Sequence, residues 1–307
     1  MNYLQLAQNI QNYAENTESL FVSSIPTFIQ QAEDRIYNAV QIPALRKNVT
    51  GYMTLNNPYI SLPSDWLANY SIAVVDSSGN YFYLVNKDVN FLREAYPVQS
   101  ATAQPKYYAL FGSQYADVNE MSLIVGPTPD QSYAVEMHYF YYPPTIVQGQ
   151  ITTFASTFTS GSGYTSGVYT NVPLTGGNGF NATATIQIVG GVVTTVTLDD
   201  GGSLYTSGDV LSFSASTISA GSGTGFAISV ATISNATGRS WLGDNYDPVL
   251  FYGAMREAML FMKGEQDMVA YYEQKYQEAL VQLNRLGTGL ERGDAYRDGQ
   301  AKIKVNP

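Results

Sequence analysis

At 307 residues the chain can bury a sizeable core, as one large domain or two ordinary ones. Charged residues make up only 13% and the formal net charge is −10, which argues against duplex binding driven by phosphate neutralisation. With no cysteine, disulfide frameworks and Cys-based zinc sites are excluded.

The N-terminus, MNYLQLAQNIQNYAENTE, has no basic region followed by a long apolar run, so it does not read as a signal peptide. No window approaches the roughly 18 consecutive apolar residues of a membrane span. The expectation is a soluble protein made in a cytoplasm, with no membrane partner. Without a secretory signal, the Asn-x-Ser/Thr triplets at Asn48, Asn181 and Asn235 read as chance. Tyrosine outnumbers phenylalanine 25 to 13. A ring that buries while its hydroxyl stays hydrated suits an assembly surface, and it suits Tyr-lined strands equally well.

Leu4, Ala7, Ile10 and Ala14, with Leu6 and Tyr13 alongside, recur at helical spacing and predict a short first helix. A second is expected from near Ser24, with Pro26 in its first turn and a stop at Pro43. Its apolar stripe is Phe28, Ala32, Ile36 and Val40, and its polar face holds Gln30, Gln31, Glu33, Asp34 and Asn38. From Arg46 to Pro143 the period changes to two. TGYMTL, NPYISL, SIAVV and YFYLV read as strands, with SSGN at Ser77 to Asn80 as a hairpin turn. KDVNFLREAY reads as a short helix, and KYYALF, SLIVG and YAVEMHYFYY as further strands. The last alternates Val135, Met137, Tyr139 and Tyr141 against Glu136, His138, Phe140 and Tyr142, so both faces are covered or one faces a partner.

From Gln148 to Gly238 there is no Lys or Arg, and the acids are Asp199, Asp200 and Asp209. ATATIQIV, GG, VVTTVTL predicts a hairpin turning at Gly190-Gly191. GSGYTSGVY at Gly161 and GSLYTSGDVL at Gly202 share a Tyr-Thr-Ser-Gly core. Two echoes fall short of a solenoid, but they argue against a linker. Helix returns at Asp247-Pro248, read as an N-cap followed by Pro at the first helical position. Leu250, Phe251, Ala254, Met255, Ala258, Met259 and Met262 form a broad apolar face up to Gly264. A further helix from Glu265 carries Met268, Tyr272, Tyr276, Leu280 and Leu283 and is expected to close at Gly287. Such Met-rich faces serve core packing or an adaptable interface. The final GTGLERGDAYRDGQAKIKVNP lacks helical periodicity and is either disordered or ordered by a partner.

No catalytic, cofactor-binding or metal residue can be assigned. His138, the single histidine, lies mid-strand among aromatics and reads as structural. With one His and no Cys, no Cys-His pair or HExxH motif exists, and no GxSxG elbow accompanies His138. Asp199-Asp200 before Gly-Gly fits a turn, with a calcium site as the alternative. Glu15 with Glu18, and Asp244 with Asp247, sit at helix boundaries where capping accounts for them. GSGTG and GSGYTSG lack the GxGxxG spacing and no Gly-Lys-Ser/Thr follows, so neither is a phosphate loop.

Two stretches carry a resemblance. AENTESLFVSSIPTFIQQAEDRIYNAVQIPALRKNVTG with SLPSDWLANYSIAVVDSSGNYFYLVNKDVNFLREAYP resembles the N-terminal half of tailed-bacteriophage head-to-tail adaptor proteins, and SWLGDNYDPVLFYGAMREAMLFMKGEQDMVAYYEQKYQEAL resembles their closing helices. The resemblance implies a structural virion protein of the neck, a ring (usually a dodecamer) joining the portal protein to the tail tube or nozzle. Packaged DNA would pass through its acidic lumen without specific binding. It implies an α+β fold: a helical bundle built from both chain ends, a β-rich domain after the second helix, and here an inserted all-β module like those of other phage virion proteins. The corresponding divisions are 1–147, 148–239, 240–289 and an extended C-terminal arm at 290–307. The arm would reach the portal or a neighbouring subunit through Leu290, Arg292, Tyr296, Arg297, Lys302 and Lys304. Tyr164, Tyr169 and Tyr205 would form the contact surface of the inserted module, toward tail-fibre proteins, neighbouring subunits or host glycans. A glycan-binding or glycan-degrading tail protein, or another ring protein such as a nozzle or tail completion factor, remains the alternative.

Overall fold

A computed structural model describes residues 1–98, 100–112, 121–218 and 221–298. The protein is α+β and divides into two compact units, Met1–Val40 with Pro144–Gly289, and Gln41–Pro143. The expected boundaries at 147/148 and 239/240 are not where the contacts divide the chain, because the inserted strands and the terminal helices share one unit. Hydrogen bonds at the two ends of the insert account for this. Asn235 Nδ2 donates to the carbonyls of Thr145 (2.8 Å) and Arg239 (3.0 Å), and the Tyr3 N–H donates to the Gly238 carbonyl (2.8 Å).

In the first unit, α1 (Tyr3–Ala14) starts with a capping box in which Asn2 and Gln5 exchange side chain-to-backbone bonds, and it stops at Glu15 in the left-handed region, φ 48°. Its buried side is Tyr3, Leu6 and Ile10, while Leu4 and Tyr13 lie at the surface. The expected stripe is thus rotated. A helix with apolar residues on several faces does not choose its buried one, and its neighbours do. α2 (Ser19–Ala39) begins earlier than expected and takes Pro26 inside. The Ser23 and Ser24 hydroxyls bond the Leu20 carbonyl (3.0 and 2.7 Å), and the proline ring is buried.

The second unit is a sandwich. One sheet has the order β1 (Arg46–Tyr52), β8 (Ala134–Tyr141), β3 (Trp66–Val75), β4 (Tyr81–Tyr83) and is antiparallel throughout. The other runs β2 (Tyr59–Ser61), β7 (Ser122–Gly126), β6 (Tyr107–Gly112), β5 (Val85–Asn86), with the β5–β6 pair parallel. Ile72, Val74, Val135, Met137 and Tyr139 of the first sheet meet Tyr108, Leu123 and Val125 of the second. Helix α3 (Val89–Ala95) covers the opposite face of the second sheet, setting Leu92 on Ala109 and Ile124, so every residue of β7 is buried. The SSGN turn forms as expected, with Asp76 accepting the N–H groups of Ser78 and Asn80.

The inserted segment, back in the first unit, makes two three-stranded sheets: β10 (Gly167–Pro173), β11 (Phe180–Val189), β12 (Val192–Ser203), and β13 (Val210–Leu211), β14 (Gly221–Ser234), β9 (Gln150–Tyr164). The β11–β12 hairpin turns at Gly190-Gly191 with φ of 63° and 83°, as a two-residue turn requires. Advancing each strand of the first sheet by three, with the count returning to β9 after β14, converts its order into that of the second, so the chain-order trios are β9-β10-β11 and β12-β13-β14. The module is therefore two equivalent three-strand halves that have exchanged their first strands. The echoed tyrosines hold equivalent places. The Tyr164 hydroxyl accepts the Phe226 N–H (3.1 Å) and the Tyr205 hydroxyl accepts the Ala182 N–H (3.4 Å). Gly161 and Gly223 flank the Tyr164 ring as Gly202 and Gly179 flank the Tyr205 ring, each in a space that a β-carbon would fill. Thr175 and Ser212 exchange backbone bonds of 2.8 Å at the point where the halves meet.

After the module come α4 (Trp241–Asn245), capped by Ser240, α5 (Asp247–Phe261) and α6 (Gln266–Asp298). Asp247 is the first residue of α5, and Tyr246 occupies the N-cap position without a side-chain capping bond, its hydroxyl donating instead to Gln282 Oε1 (2.7 Å). α5 packs on α2 through Gly253 against Ala32, Phe261 against Phe28 (ring centroids 5.2 Å) and an Arg35–Glu257 ion pair of 3.0 Å. α6 buries Tyr272, Tyr276, Ala279 and Leu283 but exposes Met268. It passes Gly287, where closure was expected, and continues to Asp298, so 290–298 is helical rather than extended. One interior glycine costs a helix only about 1 kcal/mol, and no proline intervenes.

Gly179→Ala and Gly223→Ala test the equivalence. Each adds a methyl into a tyrosine ring at a position without positive φ, so each is expected to destabilise the protein by about 1–3 kcal/mol. Chemical denaturation should show losses of similar size, whereas Gly190→Ala acts through turn strain at a site open to solvent.

Candidate functional site

The expected contact surface of the inserted module is not a surface. Tyr164 and Tyr205 are 5% and 2% exposed and belong to the core, with Tyr164 against Phe213 and Phe213 against Phe226. Tyr169 is half-buried and its hydroxyl donates to the Thr165 carbonyl (3.1 Å). Aromatics in a stretch of Gly, Ser and Thr read as exposed, but the glycines around them are what lets strand backbones close over the rings.

The residues weighed for chemistry are occupied structurally. His138 lies on the outer face of β8, with Nε2 3.1 Å from Glu136 Oε1. Glu136 also accepts from Asn48 Nδ2 (3.2 Å) and the Tyr81 hydroxyl (3.1 Å). Asp199 accepts from the Asn171 N–H (3.0 Å) and the Thr185 hydroxyl, Asp200 from the Gly202 N–H (2.9 Å), and Asp209 from the N–H groups of Thr206 and Asn178. Asp199 and Asp200 lie within β12 and not in the expected turn, because pairing with β11 carries the strand through to Ser203 and Asp199 bonds across to β10 and β11. Among the described residues no three His, Cys, Asp or Glu side chains are grouped to hold a metal ion. Arg239 holds Asp244 (3.0 Å), and Asp247 lies 3.9 Å from the N-terminal amine. Glu15 closes α1, and Glu18 precedes α2 without a side-chain capping bond. In the sandwich, Tyr139 donates to Asp65 (2.9 Å), and burial together with that carboxylate pushes its hydroxyl up to about 12.

Glu33, expected on the polar face of the second helix, is the most perturbed carboxyl among the described residues. Glu33 is 2% exposed, and its two oxygens accept the Thr145 hydroxyl (2.5 Å) and the Ile146 N–H (2.9 Å). Burial pushes its pKa from 4.5 up to about 7, against the opposing pull of those two bonds. Glu33 ties α2 to the strand-to-module junction that follows Pro144. The signal for it was the spacing from Ile29, four residues earlier, and to Ile36 and Tyr37, all buried. Because the folded pKa lies above the unfolded one, its stabilising contribution is complete below pH 4.5 and is lost as pH rises through about 7. The wild-type unfolding free energy, minus that of Glu33→Gln, should therefore fall by about 3 kcal/mol across that window and stay level above it. Urea titrations of both proteins at several pH values check this.

The helices of the first unit present large apolar side chains outward. Tyr13 and Leu20 are 64% and 67% exposed, joined by Leu260, Phe261, Met268, Tyr271 and Val281. Tyr13 stacks edge-on against Phe251 at 5.0 Å, and Tyr271 against Tyr272 at 5.3 Å. Soluble monomers seldom gather this much apolar surface on one set of helices without a partner. Of the arm residues, Leu290, Arg292, Tyr296 and Arg297 lie on the last turns of α6, beyond the part whose side chains are described. Lys302 and Lys304 lie outside the described residues. No described helix is long and apolar enough to cross a membrane.

No curated protein matches the chain. A family model described as SU10 adaptor protein matches residues 1–158, just over half of the chain. The match takes in α1, α2, the whole sandwich and the start of β9, and ends before the two-tyrosine module is complete. A family of adaptors implies a structural role in a phage particle. The chain belongs to the SU10 adaptor protein family.

Proposed function

We propose that this protein is a head-to-tail adaptor that forms a ring between the portal and the tail and lines the channel through which DNA passes. The observation that carries the reading is the exposed apolar set on the helices of the first unit, around Tyr13, Leu20, Phe261 and Tyr271. In a ring these side chains bury against the neighbouring subunit, and helices from both chain ends form the bundle that presents them. The net charge of −10 suits a channel wall, since like charge keeps DNA from adhering. The C-terminal arm, with Leu290, Arg292, Tyr296, Arg297, Lys302 and Lys304, reaches the portal. The β module contacts tail components or neighbours through its Ser- and Thr-rich outer faces, with Tyr164 and Tyr205 holding it rigid from inside.

Particles assembled without this protein are expected to lack tails and to lose their DNA, scored by electron microscopy and by nuclease protection of the genome. Tailed, DNA-filled particles would overturn the proposal. Removing Leu290–Pro307 is expected to abolish portal attachment in a pull-down while leaving the circular dichroism spectrum helical and β-rich.

A further inference from the structure

The chain contains one Asn-Gly pair, Asn178-Gly179, in the connection from β10 to β11. Glycine is obligatory at its second position. A β-carbon on Gly179 would run into the Tyr205 ring and the Ser203 carbonyl oxygen, so the slot beside that ring accepts backbone alone. Asn178 itself is exposed. Its N–H donates to Asp209 Oδ2 (3.2 Å), while its side-chain amide has no partner among the described residues.

The other three asparagines of the inserted segment are differently placed. The Asn181 amide donates to the Ser23 carbonyl of α2 (2.7 Å), and the Asn235 amide to the carbonyls of Thr145 and Arg239. Asn171 precedes Val172, a fully buried β-branched residue that crowds its own backbone nitrogen. The equivalent half of the module lacks the pair altogether. There Gly223 stands beside Tyr164 as Gly179 stands beside Tyr205, but the residue before it is Ser222, which has no amide.

We propose that Asn178-Gly179 is a self-modification site, at which the asparagine becomes aspartate or isoaspartate with water as the only co-reactant. Asparagine is among the thermolabile residues, and its weak point is the side-chain amide. The Gly179 backbone nitrogen gives its proton to solvent and bonds to Cγ of Asn178. The bond from Cγ to the amide nitrogen breaks, and ammonia leaves with a proton from solvent, which closes a five-membered succinimide. Water then opens the ring. Attack at Cγ gives aspartate, and attack at the main-chain carbonyl carbon gives isoaspartate, whose main chain runs through the former side chain. Gly179 favours the first step because no side chain crowds the attacking nitrogen.

The consequence falls on one half of the module. Either product puts a carboxylate in the connection that Asp209 already braces, and like charges repel. Isoaspartate also adds one carbon to the main chain leading into Gly179, whose slot against Tyr205 has no room for it. The Tyr205 cradle loosens with age, and the Tyr164 cradle, led by Ser222, does not.

Full-length protein is incubated in neutral and in mildly alkaline buffer and sampled over weeks. Because residues 148–238 hold no Lys or Arg, the samples are cut with pepsin, in acid, and the peptides are read by mass spectrometry. Asn178 is expected to gain the mass of an amide-to-acid exchange, faster in the alkaline buffer, and to accept methyl groups from an isoaspartyl methyltransferase. Asn171, Asn181 and Asn235 are expected to convert at least about tenfold more slowly. An Asn178 that stays an amide, or converts no faster than those three, overturns the site. Asn178→Ser copies Ser222 and removes the reacting amide. Aged wild-type protein is expected to unfold at lower urea than fresh protein, and aged Asn178→Ser at the same urea as fresh. Equal midpoints for aged and fresh wild type, or an equal loss in Asn178→Ser, overturn the loosening of the Tyr205 cradle.

Discussion

Two tyrosine rings lie against glycines at the heart of the inserted module, and each hydroxyl takes a backbone N–H from a strand on the other side of a sheet pairing. Much of the first unit depends on this contact. Tyr164 ends β9, which completes the sheet of β13 and β14, and Tyr205 follows β12, which completes the sheet of β10 and β11. Because the first strands are exchanged, neither half closes its own sheet, and the glycines let the backbones approach the tyrosine rings more closely than a β-carbon would allow. A module built on such long-range pairings gains little from any local piece alone, so it folds as a whole.

The same unit fixes this module to the helices rather than leaving it on a tether. The Asn235 amide, the Tyr3 N–H and the buried Glu33 carboxylate all bind the short segments that enter and leave the strands. A buried carboxylate with a raised pKa is an expensive way to make such a joint. It carries directional bonds to two groups of the junction that an apolar side chain could not offer, and that selects one seating of the segment after Pro144. The sandwich follows a different logic. Its core is closed by apolar contact across two sheets, yet it is left unfilled beside β1, where Gly51 stands in place of a side chain.

Legibility in the sequence followed the locality of each signal. The strands and the SSGN turn of 46–143 were readable because alternation and turn chemistry sit in the same few residues, and the Gly190-Gly191 hairpin for the same reason. Helix ends were less so. Pro26 looked like a start and Gly287 like a stop, but neither breaks a helix that packing already favours. The buried face of α1 could not be chosen among Leu4, Leu6 and Tyr13, and Glu33 looked like any solvated carboxylate. The Tyr-Thr-Ser-Gly echo is legible, but of the expected contact residues Tyr164, Tyr169 and Tyr205 the echoed two are core, because a repeat shows equivalence of role without showing which side of the chain is covered.

The sequence alone determined the acidic charge, the lack of any assembled Cys- or His-based chemistry, the β-rich middle between helical ends, and the family resemblance carried by α1, α2 and the sandwich. These are properties of composition, of period, and of short motifs whose meaning does not depend on distant residues. Only the tertiary structure decided that the inserted strands share a unit with the terminal helices, that their halves exchange strands, and that Glu33 is buried. Each of those rests on contacts between residues far apart in the chain, such as Glu33 with Ile146 and Ala182 with Tyr205, and no local pattern encodes which distant partner closes over which side chain.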